Sequence, residues 1–361
     1  MRVAYVISSL RRGGAEGVLA ALADGLARRG HEGVVLTLAG PDAPVDYELP
    51  PDVRHRPLDL AGASDGPLAA VIENLGRVRV LRRAIADAEP DAVVGFMDQT
   101  NVLTLLAAGR THPVIISERI HPAHHRLPPP WGVLRGMSYG RARAVVLPSA
   151  SMLGGLPRRM HPRCRVIPNP VSAPDRAVAV SAHRPRILAA GRLDPQKGFD
   201  VLLRAFAALA PDRPGWRLDI YGEGPGRADL ESLAATLRIA DRVGLPGFTP
   251  ALGAQMRQAD IFVLSSRYEG FPNVLCEAMA LGLPAVATDC PSGPADIVRH
   301  DVDGLLAPVD DDAALAAALG RLMDDEAQRL RLARRAPEVL ERFSIERFLD
   351  AWESLLSEVR R

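Results

Sequence analysis

Short apolar runs of strand character alternate with helix-periodic stretches along this chain, break off in a Pro-, Ser- and Ala-containing segment at 168–186, and then begin again. Strand, helix and strand in succession is the pattern of a βαβ unit and implies a parallel sheet. The first series contains VAYVI (3–7), a helical stretch at 15–29, GVVLTL (33–38), and strand-like runs at 92–96, 114–117, 144–147 and 165–167. The second contains RILAAG (186–191), WRLDIYG (216–222), DIFVLSS (260–266) and PAVATD (284–289), with helical patterns at 198–210, 225–239 and 273–281. Beyond Asp310 the pattern is almost wholly helical and ends in FLDAWESLLSEVRR. The expectation is an α/β protein of two Rossmann-like, doubly wound domains facing a central cleft, with ligand sites in the loops at the carboxyl ends of the strands. The boundaries expected are 1–170 for the first domain, 171–185 for a linker and 186–343 for the second domain. A last helix at 344–361 is expected to pack back on the first domain. A length of 361 residues agrees, because single hydrophobic cores stop growing at roughly 250–300 residues.

Composition narrows the function classes. With 47% hydrophobic and 24% charged residues the chain is globular rather than disordered. No run approaches the ~20 apolar residues that span a bilayer, and 3–7 is too short for a secretory signal core, so a cytoplasmic protein is expected. Cys164, Cys276 and Cys290 have neither disulfide-framework nor metal-ligand spacing and read as small buried hydrophobes. The net charge of +1 hides an asymmetry: residues 1–170 carry 21 Arg against 15 Asp and Glu, and the remainder 23 basic against 28 acidic residues. Lys197 is the single lysine beside 43 arginines, which marks it for a task needing a compact ammonium.

The densest chemistry lies in SSRYEGFPNVLCEAMALGLPAVATDCPSGPADIV, 265–298. Glu269 follows a strand, and Glu277, eight residues on, falls in a helix expected to start at Pro272 and Asn273. Free N–H groups and the positive dipole end at such a start suit a phosphate. In GRLDPQKG (191–198), Arg192 and Lys197 share a tight loop after a strand and could neutralise a departing diphosphate. In SSLRRGGAEGVL (8–19), Gly13 and Gly14 let a phosphate approach the backbone where a helix opens. The GGxxG spacing is not the GxGxxG of a dehydrogenase.

These motifs resemble the retaining glycosyltransferases of family four, whose hallmark is two glutamates separated by seven residues in a context like YEGFPNVLCEAMALGLPAVAT. The resemblance implies a GT-B fold and transfer of a hexose or N-acetylhexosamine from a nucleoside diphosphate sugar, with UDP the expected base, to a hydroxyl of a glycan or lipid-linked acceptor. It implies that Glu269 contacts the transferred sugar, Glu277 grips the ribose, and Arg192 and Lys197 bind the diphosphate. Phe271, Pro272, Asn273, Val274 and Leu275 would line the donor site, joined by Gly13, Gly14, the hinge residue Asn169 in VIPNP, and Gly247 in VGLPGF, a loop that meets the base through its main chain. In SERIHP (117–122) the resemblance places a group against the donor sugar, either Glu118 or His121. The motif also resembles a branch that acts on hexosamine-type donors and builds surface glycans.

With Arg192 and Lys197 supplying positive charge, neither metal nor cofactor is expected, and Asp301 and Asp303 in HDVDGLL read as a turn. No nucleic-acid partner is expected. Arg77, Arg79, Arg82, Arg83, Arg135, Arg141, Arg143, Arg158 and Arg159, with WGVLRGM (131–137), suggest peripheral attachment to an anionic membrane surface at its inner face. A sugar epimerase on the same fold and a non-catalytic nucleotide-sugar or glycan-binding module are the competing readings.

Overall fold

The computed structural model describes residues 1–62, 67–108, 111–123, 127–128, 130–172 and 185–360. Most of the expected linker, 173–184, lies outside the described residues. The chain divides into two compact units, Met1–Pro170 with Ile345–Arg361, and Val171–Ser344.

The first unit holds a seven-stranded parallel sheet of β1 (Arg2–Ile7), β2 (Glu32–Thr37), β3 (Val53–Pro57), β4 (Ala92–Phe96), β5 (Val114–Ser117), β6 (Ala144–Leu147) and β7 (Cys164–Val166). Their order is β3-β2-β1-β4-β5-β6-β7. Central strands such as β4, AVVGF, are buried along their whole length, as a sheet covered on both faces requires. One face carries helix Gly14–Arg28 and the C-terminal helix Ile345–Arg360, packed on Tyr5, Ile7, Val94 and Phe96. In the C-terminal helix Phe348, Leu349, Trp352, Leu355, Leu356 and Val359 are buried at helical spacing, each contributing on the order of 1.5–3 kcal/mol. Trp352 stacks on Phe96 with centroids 6.3 Å apart. Arg29 anchors the exposed edge through Asp350 and Glu353, both at 2.7 Å. Gly25 marks the crossing of these two helices, since a Cβ there would stand 2.5 Å from Leu349 Cδ1.

The second unit holds a six-stranded parallel sheet of β8 (Arg186–Ala190), β9 (Arg217–Tyr221), β10 (Val243–Gly247), β11 (Ile261–Leu264), β12 (Ala285–Thr288) and β13 (Gly304–Ala307). The order is β10-β9-β8-β11-β12-β13. Helices Phe199–Leu209 and Asp312–Asp324 cover one face and helix Asn273–Ala280 the other.

Three strands, β3, β10 and β13, go beyond the sequence expectation. All three are edge strands, and two of them are poor in apolar alternation: β3 reads VRHRP and β10 VGLPG. VGLPG is therefore a strand rather than a loop, and its pairing with β9 breaks register between Gly244 and Gly247, around a Pro of the kind that an edge strand or a bulge tolerates. The strand β13 follows the DVDG turn directly. Asp303 is fully buried there, bonded to the Arg299 amide and guanidinium at 2.7 and 2.6 Å, while Asp301 pairs with Arg321 at 2.7 Å. Both aspartates serve the turn. Cys276 and Cys290 are buried and Cys164 is half-buried, all three as free thiols.

Candidate functional site

In a doubly wound sheet the loops that diverge where strand order reverses leave a crevice for ligands. In the second unit that point lies between β8 and β11, and the loops following those two strands carry Lys197 and Glu269. Several bonds tie the loops together. Arg267 N–H donates to the Gln196 carbonyl at 2.7 Å, Gln196 Nε2 to the Tyr268 carbonyl at 3.0 Å, and Ser265 Oγ to the Lys197 carbonyl at 2.8 Å. The Arg267 guanidinium, inserted between Asp200 and Asp310 at 2.9 and 2.7 Å, clamps the same junction. Gly198 permits the close approach: its φ is +61°, and a Cβ would stand 2.1 Å from the Ser265 carbonyl oxygen.

Lys197 Nζ meets Glu269 Oε1 at 2.6 Å, with side chains 18% and 7% exposed. Ser266 Oγ donates to the same oxygen at 2.6 Å, and Thr288 Oγ1 to the Ser266 carbonyl at 2.5 Å. The carboxylate is thus oriented by two donors, and the ammonium is held against it in the loop that follows β8. Arg192, in the same loop, is 69% exposed and bonded to Asp194 at 2.5 Å, so it presents a solvated cation beside this pair. Glu277 lies on the exposed face of helix Asn273–Ala280, and surrounding protein desolvates its carboxyl enough to raise it above its ordinary value.

The start of that helix differs from expectation. The amides of Asn273 and Leu275 already donate to the carbonyls of Phe271 and Pro272, each at 3.0 Å. Phe271 and Leu275 side chains belong to the core, Phe271 edge-on to Phe343 with centroids 5.4 Å apart. A tight first turn therefore engages the Asn273 and Leu275 amides that the sequence left free, and a ligand here meets main chain and the half-buried Asn273 and Val274. Gly247 has φ +85°, and a Cβ would press within 2.8 Å of Glu223 Oε1.

In the first unit the reversal lies between β1 and β4, and Gly13 and Gly14 follow β1. Tyr47 Oη donates to the Gly13 carbonyl at 2.7 Å and accepts from its amide at 3.3 Å. The Glu16 carboxylate folds over the position of a Gly13 Cβ, 2.2 Å from it, and burial raises that carboxyl. An anion approaching this helix start would have to displace Glu16, whereas Gly14 is exposed.

After β5 the three residues Glu118, Arg119 and His121 are all buried. Glu118 accepts from Tyr139 Oη, and desolvation, opposed by that bond, raises its carboxyl to about 7. His121 Nδ1 accepts from the Ala123 amide at 3.2 Å. Asn169 Oδ1 accepts from Arg119 Nη1 at 2.5 Å. Arg119 carries no signal of its own in the sequence, although it stands inside SERIHP. Nor do Ser266 and Thr288, whose role comes only from being adjacent in space to Glu269. Three of the arginines expected to make a basic surface are occupied by carbonyls: Arg77 by Leu60 at 3.0 Å, Arg82 by Ala107 at 3.1 Å and Arg135 by Pro122 at 3.3 Å. Their charge serves loop closure as much as any partner.

Residues 13–170 match the family model described as glycosyl transferase 4-like domain, and residues 175–339 the model described as glycosyl transferases group 1. The chain is 28% identical to GalNAc-alpha-(1->4)-GalNAc-alpha-(1->3)-diNAcBac-PP-undecaprenol alpha-1,4-N-acetyl-D-galactosaminyltransferase of Campylobacter jejuni, covering 100% of this chain and 99% of that protein. A stretch of 206 residues is 40% identical to exopolysaccharide phosphotransferase SCO2592 of Streptomyces coelicolor. That match covers 55% of this chain and 21% of the relative, so the chain spans about a fifth of that protein's length. Among solved structures, sucrose-phosphate synthase from Thermosynechococcus elongatus is similar in fold, with a TM-score of 0.84 over 99% of both chains at 22% identity.

Proposed function

On the premise that this chain belongs to the GT-B glycosyltransferases of family four, we propose that it transfers a hexose or N-acetylhexosamine from a nucleoside diphosphate sugar, with UDP as the base, to a hydroxyl of a lipid-linked or polysaccharide glycan. The observation that carries this reading is the pairing of Lys197 with Glu269 at 2.6 Å where the second sheet reverses its strand order, with the exposed Arg192 beside it. One half-buried ammonium and one exposed guanidinium suit a diphosphate whose charge grows as it leaves. The oriented Glu269 carboxylate can accept from a sugar hydroxyl, and Glu277 from a ribose diol.

The chemistry follows from what the site lacks the need to supply. The bond from the anomeric carbon to the phosphate oxygen breaks, and a bond from that carbon to the acceptor oxygen forms on the same face, so configuration is retained. The acceptor proton goes to the leaving phosphate oxygen. Products are the glycoside and the nucleoside diphosphate. The protein's part is to orient both substrates and to stabilise charge, with Lys197 and Arg192 in place of a metal.

Support for a lipid-linked acceptor comes from the Campylobacter jejuni relative, whose name specifies a PP-undecaprenol substrate. No described helix is long and apolar enough to cross a membrane. Helix Trp131–Ser138 instead leaves Val133 and Met137 exposed at 66% and 71%, and Arg141, Arg143, Arg158 and Arg159 of the same unit are exposed as well, a composition suited to the inner face of an anionic membrane. Sedimentation with anionic vesicles at low salt should carry the protein down, and its absence from the pellet would remove membrane attachment from the proposal.

Incubation with a panel of UDP-, GDP- and ADP-sugars and polyprenyl-diphosphate glycans tests the activity. The expected product is an α-linked glycoside formed only with acceptor present. Epimer formed from a UDP-sugar alone would favour the epimerase reading, and neither product with any pair would favour a binding module.

A further inference from the structure

Arg119 follows β5 by two residues and is 9% exposed. Its guanidinium face lies over the Phe96 ring, 4.8 Å from the centroid, and its Nη1 donates to Asn169 Oδ1 at 2.5 Å. Those two contacts fix the plane and the rotation of the group. The remaining edge, Nε with Nη2, is buried and has no hydrogen-bond partner among the described residues. This is the edge with which a guanidinium grips an oxyanion through two parallel N–H···O bonds.

No carboxylate among the described residues accepts a hydrogen bond from it. The neighbouring Glu118 is turned to Tyr139 Oη, and burial holds its carboxyl toward the protonated form. The same desolvation lowers the Arg119 guanidinium to about 9. Among the described residues this buried cation has one hydrogen-bond acceptor, which is neutral, and the unpartnered donor edge costs stability. It makes physical sense as half of a bidentate pair.

We infer that Arg119 anchors an oxyanion site in the first unit, taking a substrate phosphate through Nε and Nη2. Phe96 and Asn169 act as positioning residues that keep the fork rigid. The inference rests on the transferase reading for the source of the phosphate, either the nucleoside diphosphate of the donor or the diphosphate of a lipid-linked acceptor, but not for the existence of the site.

The test reads binding rather than turnover, so it remains interpretable if transferase activity is never found. In an Arg192→Ala/Lys197→Ala background, which removes the cations of the second unit, inorganic pyrophosphate should still raise the melting temperature and inorganic sulfate should do so less. Adding Arg119→Lys, which keeps the charge but loses the fork, should weaken pyrophosphate binding by about tenfold to a hundredfold, as loss of one bidentate contact implies. In the otherwise native protein, Arg119→Lys that weakens UDP to a similar degree assigns the phosphate to the donor. Unchanged UDP affinity with a raised KM for a polyprenyl-diphosphate acceptor and an unchanged kcat assigns it to the acceptor. No pyrophosphate response in the Arg192→Ala/Lys197→Ala protein would overturn the site, and this arm decides even if Arg119→Lys fails to fold. A response that Arg119→Lys leaves intact would overturn it equally.

Discussion

The two units repeat one topology and treat charge in opposite ways at the ends of their strands. In the second, cation and carboxylate are paired: Lys197 with Glu269, Arg192 with Asp194, Arg267 with Asp200 and Asp310. In the first, after β5, burial pushes Glu118 up to about 7 and Arg119 down to about 9, and neither bonds to the other. Paired charges near solvent can exchange partners with a ligand at little cost, whereas isolated buried charges pay desolvation until an opposite charge arrives. On the proposed function, the second unit would hold and release a highly charged molecule, and the first would be completed by one.

The comparison can be broken most sharply at Lys197. Lys197→Ala should lower kcat by about 10²–10³, the scale of removing one preorganised charge from a transition state, and near-native steady-state turnover would mean the paired cation is not the diphosphate ligand. Gly198→Ala comes next. It forces a Cβ to within 2.1 Å of the Ser265 carbonyl at φ +61°, so the two loops must separate. Urea denaturation should show a loss of roughly 2–3 kcal/mol, and an unchanged midpoint would show the loop junction to be slack.

Glu118 tests the other side. Its carboxyl rises from 4.5 to about 7 on folding, so the folded state binds the proton more tightly than the unfolded one. Stability is then greatest below the unfolded value and declines as pH rises through about 7. Glu118→Gln keeps an acceptor for Tyr139 and should abolish that decline, a relative gain of up to about 3 kcal/mol between pH 4.5 and 8. Parallel stability profiles for the two proteins would show that Glu118 ionises normally. Glu277→Ala should have the smallest effect, raising donor KM about tenfold, or ~1.4 kcal/mol, while kcat stays within twofold of native. A fall in kcat with KM unchanged would place Glu277 in the chemistry instead of the binding.

Amino-acid pattern determined the α/β class, the two series of parallel strands and the helical end of the chain, because a parallel strand covered on both faces must be a continuous apolar run, as in Ala92–Phe96 and Ile261–Leu264. It failed at β3 and β10, where a single neighbour leaves one edge free and polar residues, Gly and Pro are tolerated. The stretch from Tyr268 to Glu277 was legible because its residues are contiguous on one loop and one helix. What only the tertiary structure decided is which groups those residues meet: that Ser266 and Thr288 orient Glu269, that the Asn273 and Leu275 amides are engaged in the first turn after Pro272, that Glu16 covers Gly13, and that one edge of Arg119 has no partner among the described residues. Each depends on distances between segments far apart in the chain, and periodicity reports the face a residue occupies but not the partner waiting there.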